Sequence, residues 1–314
     1  MGLIPDLLDA PFRHRTTAAV LATTLAIAGC GASAGSTAST KPRGACPTRP
    51  VPVVVSVDQW GDIVGRLAGD CGDVTTVFRS SAADPHDYEP TPADSARFEG
   101  ARLVVINGLG YDSWATKAVD ALDTRPVIVN AGKLADRSDG DNPHVWYDPV
   151  SVYRVAAGVT AALGRLEPSD AAYFAGRHAA WVRSMQPYEA AIARARRADA
   201  HKTYGATENV FDDMAAAVGL RDRTPRGFRR AAANESDPSP GDLDAFERAL
   251  GRGSMSLLVV NTQTEGSIPS RIRARAEAEH LPVLEVTESV PPGARSFESW
   301  QVAQLDALTK ALGR

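Results

Sequence analysis

From Asp148 to about Arg197 nothing in the chain reads as a strand, while on either side of that stretch apolar runs alternate with amphipathic ones. Ahead of it, "VPVVVSVD" (51–58), "DVTTVFRS" (73–80), "RLVVING" (102–108) and "RPVIVNAG" (125–132) read as strands. Helical patterns lie between them, including "QWGDIVGRLAG" with Trp60, Ile63, Val64 and Leu67 on one face, "TPADSARFEGA" and "SWATKAVDALD". Behind it, "TYGAT" (203–207), "SLLVVNT" (256–262) and "VLEVTE" (283–288) read as strands among the helices "NVFDDMAAAVGL", "PGDLDAFERAL" and "PSRIRARAEAEH", with a last helix from Ser299. Such alternation predicts largely parallel sheets covered by helices on both faces. Within the interruption, "PVSVYRVAAGVTAALGRL" reads as one helix, "EPSD" as a break and cap, and "AAYFAGRHAAWVRSMQPYEAAIARARR" as a second helix bent at Pro187. At ~1.5 Å per residue that second helix spans about 40 Å, more than one small lobe needs. The expectation is two α/β lobes, 51–150 and 201–314, joined by linking helices over 151–200.

The N-terminus reads as an export segment. Arg13 and Arg15 precede "TTAAVLATTLAIAGC", an apolar run too short to span a bilayer comfortably and closed by small residues. Residues 1–29 then form a signal peptide, and "IAGC" resembles a bacterial lipobox that would make Cys30 the lipidated first residue. Residues 30–50 carry that cysteine and a Gly/Ser/Ala/Thr-rich tether. Its "GASAG" spells a hydrolase motif, but lacks the strand before and helix after that the motif needs. The other two cysteines, Cys46 and Cys71, read as a disulfide in an exported chain. A formal net charge of −4 advertises neither nucleic acid nor an anionic membrane as partner of the whole chain.

Ligands of parallel sheets gather at the carboxyl ends of strands and in clefts between domains. His86, in "DPHDYEPTPAD", follows the strand at 73–80; His144, in "NPHVWYDP", precedes the strand-free stretch; Glu208 follows "YGAT" and Glu288 ends "VLEVTE". Imidazole and carboxylate together suit zinc, manganese or ferrous iron. Prolines before both histidines restrict the backbone there. Spacing alone leaves an ordinary turn or surface role open for each, since neither H-E-x-x-H nor C-x-x-C occurs. His178, His201 and His280 lie in or at the ends of helices and read as structural, as do Trp146 and Tyr88. Gly108 and Gly110 in "NGLGYDS" lack the third glycine of a dinucleotide loop.

"DPHDYEPTPAD", "ARLVVINGLGYDSW", "NPHVWYDP", "PSPGDLDAFE", "VLEVTESVPPG" and "FESWQVAQLDAL" occur in the order found in the metal-receptor family of bacterial ABC importers, the zinc- and manganese-binding solute-binding lipoproteins, which the chain resembles from residue 51 onward. The resemblance implies two lobes joined by one long backbone helix, with metal in the interlobe cleft. It makes His86 the first ligand, His144 the second and Glu208 the third, where zinc-type members commonly have histidine and manganese-type members glutamate. Glu288 takes the fourth place, usually an aspartate. The stretch "GKLADRSDGDNPH" holds no histidine ahead of His144, unlike the His-rich loop of many zinc members, and tilts the cargo towards manganese or iron over zinc. The implied protein is not an enzyme but a monomeric receptor, lipid-anchored at the outer face of the cytoplasmic membrane, that delivers its metal to an ABC permease and binds no nucleic acid. Two rivals remain: a secreted metal-dependent hydrolase with Glu208 or Glu288 as base, and a surface adhesin with a structural metal. Histidine ligation implies affinity falling as pH drops through ~6.5.

Overall fold

The computed structural model describes residues 46–79, 88–199, 201–234, 236–264 and 266–313. The export segment, Cys30, the tether and His86 lie outside the described residues.

In the first lobe come β1 (Val51–Val57), α1 (Asp58–Ala68), β2 (Gly72–Phe78), α2 (Pro92–Ala96), β3 (Leu103–Ile106), α3 (Ser113–Asp120), β4 (Val127–Asn130) and the short α4 (Ala131–Leu134). Three helices follow without a strand: α5 (Pro149–Leu166), α6 (Ala171–Ser184) and α7 (Gln186–Asp199). The second lobe runs β5 (Thr203–Ala206), α8 (Asp212–Val218), β6 (Arg221–Asp222), α9 (Arg226–Ala233), α10 (Pro240–Gly251), β7 (Leu257–Asn261), α11 (Ser267–Ala278), β8 (Val283–Val286) and α12 (Phe297–Leu312). The two four-stranded sheets are wholly parallel, in the orders β2-β1-β3-β4 and β6-β5-β7-β8. The expected architecture of two parallel-sheet lobes is present.

Register puts Val53 beside both Val74 and Leu103, and Val259 beside Leu284. Central strands β1, β3 and β7 are apolar almost throughout because both faces are covered. One continuous core runs from β1, α1 and α5 to α8, β8 and α12, so it belongs to both lobes. Each outer face has a smaller core of its own, around Phe98 and Val104 in the first lobe and around Phe246 and Leu258 in the second. Cys46 and Cys71 are joined by a disulfide that ties the chain just ahead of β1 to the turn before β2.

The linking segment departs from the single bent helix in one respect. The break falls at Met185, with Pro187 already inside the first turn of α7. Proline lacks an N–H and clashes with the carbonyl four residues back, so it is accommodated by starting a new helix around it. "TPADSARFEGA" is helical only over Pro92–Ala96, started by a capping box between Thr91 and Asp94. The elements α4, β6 and α9 are shorter than the periodicity test can register. No helix among the described residues is long and apolar enough to cross a membrane.

Candidate metal centre

His144 is 1% exposed, and its surroundings are local in sequence. Pro143 precedes it, a short 3₁₀ turn (Val145–Tyr147) follows, and Asp148 then caps α5 by accepting from the Val150 and Ser151 N–H groups, with Pro149 in the first turn. Asn142 fixes the ring. Its Nδ2 donates to the Asn209 carbonyl at 2.9 Å, so its Oδ1 is the acceptor that faces the His144 backbone N–H at 3.1 Å and ring Nδ1 at 2.7 Å. Nδ1 therefore donates to Asn142, and Nε2 faces Glu288, whose Oε2 lies 3.4 Å away. A second nitrogen held by an amide or carboxylate is the usual support of a metal-binding imidazole. Trp146 packs edge-on to the ring at 5.3 Å.

Glu288 is fully buried just beyond β8. Gln263 Oε1 accepts from the Glu288 and Ser289 N–H groups at 2.7 and 2.8 Å, which sets the direction in which the carboxylate leaves the strand. Its Oε2 accepts from Tyr111 Oη at 2.9 Å, and its Oε1 from Asn261 Nδ2 at 2.7 Å. The same Asn261 amide donates to Glu208 Oε2 at 2.8 Å, and Thr264 Oγ1 donates to that oxygen too. Asn261, the last residue of β7 and 3% exposed, thus bridges two carboxylates that leave the neighbouring strands. One ligand atom from each of His144, Glu208 and Glu288 falls within 4.8 Å of the others. The structure therefore brings together three of the four residues singled out in the sequence; the fourth, His86, is outside the described residues.

Tyr111 reaches this group from the first lobe. Gly108, Leu109 and Gly110 all have positive φ, and a Cβ on Gly108 would meet the Asn130 side-chain amide at 2.5 Å. Buried Asp112 closes that loop by accepting from the Asn107 and Gly108 N–H groups and from Ser56 Oγ. Asn107 in turn links the Trp60 indole N–H to the Pro143 carbonyl, one residue before His144. Burial, then the Glu288 charge, pushes the Tyr111 phenol well above its ordinary range, so it stays a donor. "NGLGYDS" is a loop that aims a tyrosine into the cleft.

Tyr111, Asn142, Asn261 and Gln263 were not picked out from the sequence. The signal for Asn261 was its place at the carboxyl end of a buried strand. The other histidines among the described residues stand elsewhere. His178 Nδ1 lies 3.0 Å from Thr160 Oγ1, while His201 and His280 occupy left-handed positions beyond helix ends, with φ of 73° and 56°. Tyr88 packs at a tilt against Phe78 and edge-on to Trp114.

Contacts across the cleft hold the lobes together on both sides. Asp62 accepts from the Phe297 N–H at 2.9 Å, Arg66 binds Glu298 at 2.7 Å, and Arg137 binds Asp213 at 2.8 Å.

A protein-family model described as the periplasmic zinc-uptake complex component A, ZnuA, matches residues 53–311. The chain belongs to this family. Among curated relatives of the ZnuA family chain, the manganese-binding lipoprotein MntA of Halalkalibacterium halodurans is 29% identical over 143 residues, 44% of this chain and 47% of that protein. The alignment thus spans about half of that relative. The high-affinity zinc uptake system protein ZnuA of Bacillus subtilis is 22% identical over 276 residues, 81% of this chain and 83% of that one. In fold, the chain resembles the periplasmic zinc-binding protein TroA from Treponema pallidum, with a TM-score of 0.71 at 17% identity, over 85% of this chain and all of that one.

Proposed function

We propose that this ZnuA-family chain is the extracytoplasmic receptor of an ABC importer, which captures a divalent transition metal in the cleft between its lobes and hands it to a membrane permease. The observation that carries the reading is the convergence of His144, Glu208 and Glu288 ligand atoms within 4.8 Å, one from the first lobe and two from the second. His86 is the fourth ligand on this reading. One or two imidazoles with two carboxylates make a set suited to manganese or ferrous iron as well as zinc. Because both carboxylates share the Asn261 donor and Glu288 also accepts from Tyr111, they are fixed in place as ligands are, which a mobile general base is not. No chemical step is asked of the cargo, so the chain is read as a binding protein and not as a hydrolase.

The lobes over 51–150 and 201–314 and the linking helices over 151–200 divide the work: each lobe supplies part of the shell, and release follows their separation. Cys30 serves as the lipid anchor of a monomer held at the outer face of the cytoplasmic membrane, with 31–50 as tether. The test is calorimetric titration of chelator-stripped protein with zinc and with manganese, separately. One-site binding of both metals is expected. Binding of zinc alone would make zinc the cargo despite Glu208, and binding of neither would end the receptor reading.

A further inference from the structure

The stretch "RDRTPRGFRR", 221–230, holds five arginines and one aspartate in a chain whose formal net charge is −4. It folds into β6 and α9. On α9, Phe228 turns inward against Phe246, ring centroids 4.7 Å apart, which leaves Arg226, Arg229 and Arg230 on the opposite, exposed face. With Asn209, Asp212 and Ala233 they line a concavity of about 580 Å³. Arg229 is tied to Asp222 at 2.9 Å, while among the described residues Arg226 and Arg230 pair with no carboxylate.

Placement gives the patch its meaning. All strands of the second sheet are parallel, so α9, which follows β6, starts at the same edge from which Glu208 and Glu288 emerge. Asn209, in the wall of the concavity, accepts across the cleft from Asn142 of the first lobe. The arginines therefore stand on the rim of the second lobe, beside the seam. They do not face the cargo: the hollow between Arg229 and Glu208 holds only about 10 Å³. Guanidinium groups take carboxylates in bidentate pairs, and a concave surface admits a projecting loop, whereas a plane of lipid headgroups would meet only its rim.

We propose that the α9 arginine concavity is the docking surface for a carboxylate-bearing extracytoplasmic loop of the permease. This rests on the receptor reading above and adds to it the face by which cargo is delivered. Charge at an interface rim acts chiefly on encounter and on rejection of wrong partners, so reversing it affects delivery more than capture.

The test uses the full chain in a strain lacking its own copy, with accumulation of radiolabelled manganese or zinc as readout. The R226E/R230E double variant is expected to lower accumulation about tenfold or more. Its calorimetric metal affinity and unfolding midpoint should match those of the unaltered chain. R183E, at an exposed position of α6, should accumulate metal normally. Normal accumulation by R226E/R230E would overturn the proposal. So would a loss matched by lost sedimentation with phosphatidylglycerol vesicles but not phosphatidylcholine ones, because the partner would then be lipid. If the double reversal lowers the unfolding midpoint, R226Q/R230Q must give the same loss of uptake at full stability, or the proposal fails. Failure of the receptor reading is seen separately, as an unaltered chain that neither binds metal nor supports accumulation.

Discussion

The two lobes share one strand order but hold their parts of the site by opposite means. In the first lobe, His144 is fixed by neighbours in the chain: Pro143 before it, Asn142 on its ring, and the Asp148 cap just after. In the second, Glu288 is fixed by partners far away in sequence: Gln263 at a separation of 25, Asn261 at 27, and Tyr111 at 177. One half draws mainly on its own loop, with an anchor in the second lobe where Asn142 Nδ2 donates to the Asn209 carbonyl. The other exists only once the sheet has assembled and the lobes have met. The imidazole should thus respond less to changes in the second lobe, which reach it through the Asn142–Asn209 bond, while the carboxylates should respond to changes in either.

The sharpest break is His144→Ala. It removes the imidazole proposed as a ligand without touching the Asn261 bridge, so the apo fold should stay intact while metal affinity falls about 1,000-fold, or ~4 kcal/mol. That exceeds the 10–100-fold expected for groups that merely support a ligand. Calorimetry at neutral pH measures it, and a loss of less than about tenfold would remove His144 from the shell.

Next in size is the covalent asymmetry. Cys46–Cys71 closes a loop of 25 residues in the first lobe, and the second lobe contains no cysteine. Reduction, or Cys46→Ala with Cys71→Ala, should cost about 3 kcal/mol of unfolding free energy on chain-entropy grounds. Urea unfolding with and without reductant reads it. Metal affinity should change little, because the bridge lies at the amino ends of β1 and β2, opposite the strand ends that face the cleft.

Asn261→Ala tests the distant half. Two carboxylates would lose the donor between them, and affinity should fall 10–100-fold, or ~1.4–2.7 kcal/mol. The loss should be similar for zinc and manganese if Asn261 positions both glutamates, and Asn261→Asp should not restore affinity to normal, since it supplies charge where a donor stood. Full affinity in Asn261→Ala would mean that the strand ends alone aim the ligands.

The same local-against-distant contrast decides how much could be read from the sequence. Strand–helix alternation and the strand-free middle are patterns of neighbours, and they gave two parallel-sheet lobes with a helical link. The proline-flanked histidines are local motifs as well. Glu208 and Glu288 are candidates because a strand's carboxyl end is where a site belongs, a topological rule that needs no contact map, and the family resemblance supplies their places as third and fourth ligand. Tyr111, Asn261 and Gln263 escaped because each acts through hydrogen bonds to residues that only tertiary folding brings near. The shift of the helix break from Pro187 to Met185 has the opposite origin. It is a local effect, and the ring's clash with the preceding turn fixes where the new helix must start.

The smallest expected effect concerns the seam where the lobes meet. Asp58, at the start of α1, accepts from the Val290 N–H of the second lobe at 3.4 Å, and burial pushes its carboxyl up to about 7. An exposed aspartate ionises near ~3.9. Between those values the folded chain holds a proton that the unfolded chain has lost, so stability declines as pH rises through that window and changes no further above it. The contribution is on the order of 1–2 kcal/mol, set below the full linkage value because the group is partly solvated. Asp58→Asn keeps an acceptor for Val290 and removes the titration. Its unfolding free energy should therefore be flatter between pH 5 and 7.5 than that of the unaltered chain, with the largest gain at the upper end. If the two proteins show the same slope, the seam at Asp58 is open enough for water to hold the charge, and closure rests on Asp62 and Arg66 instead.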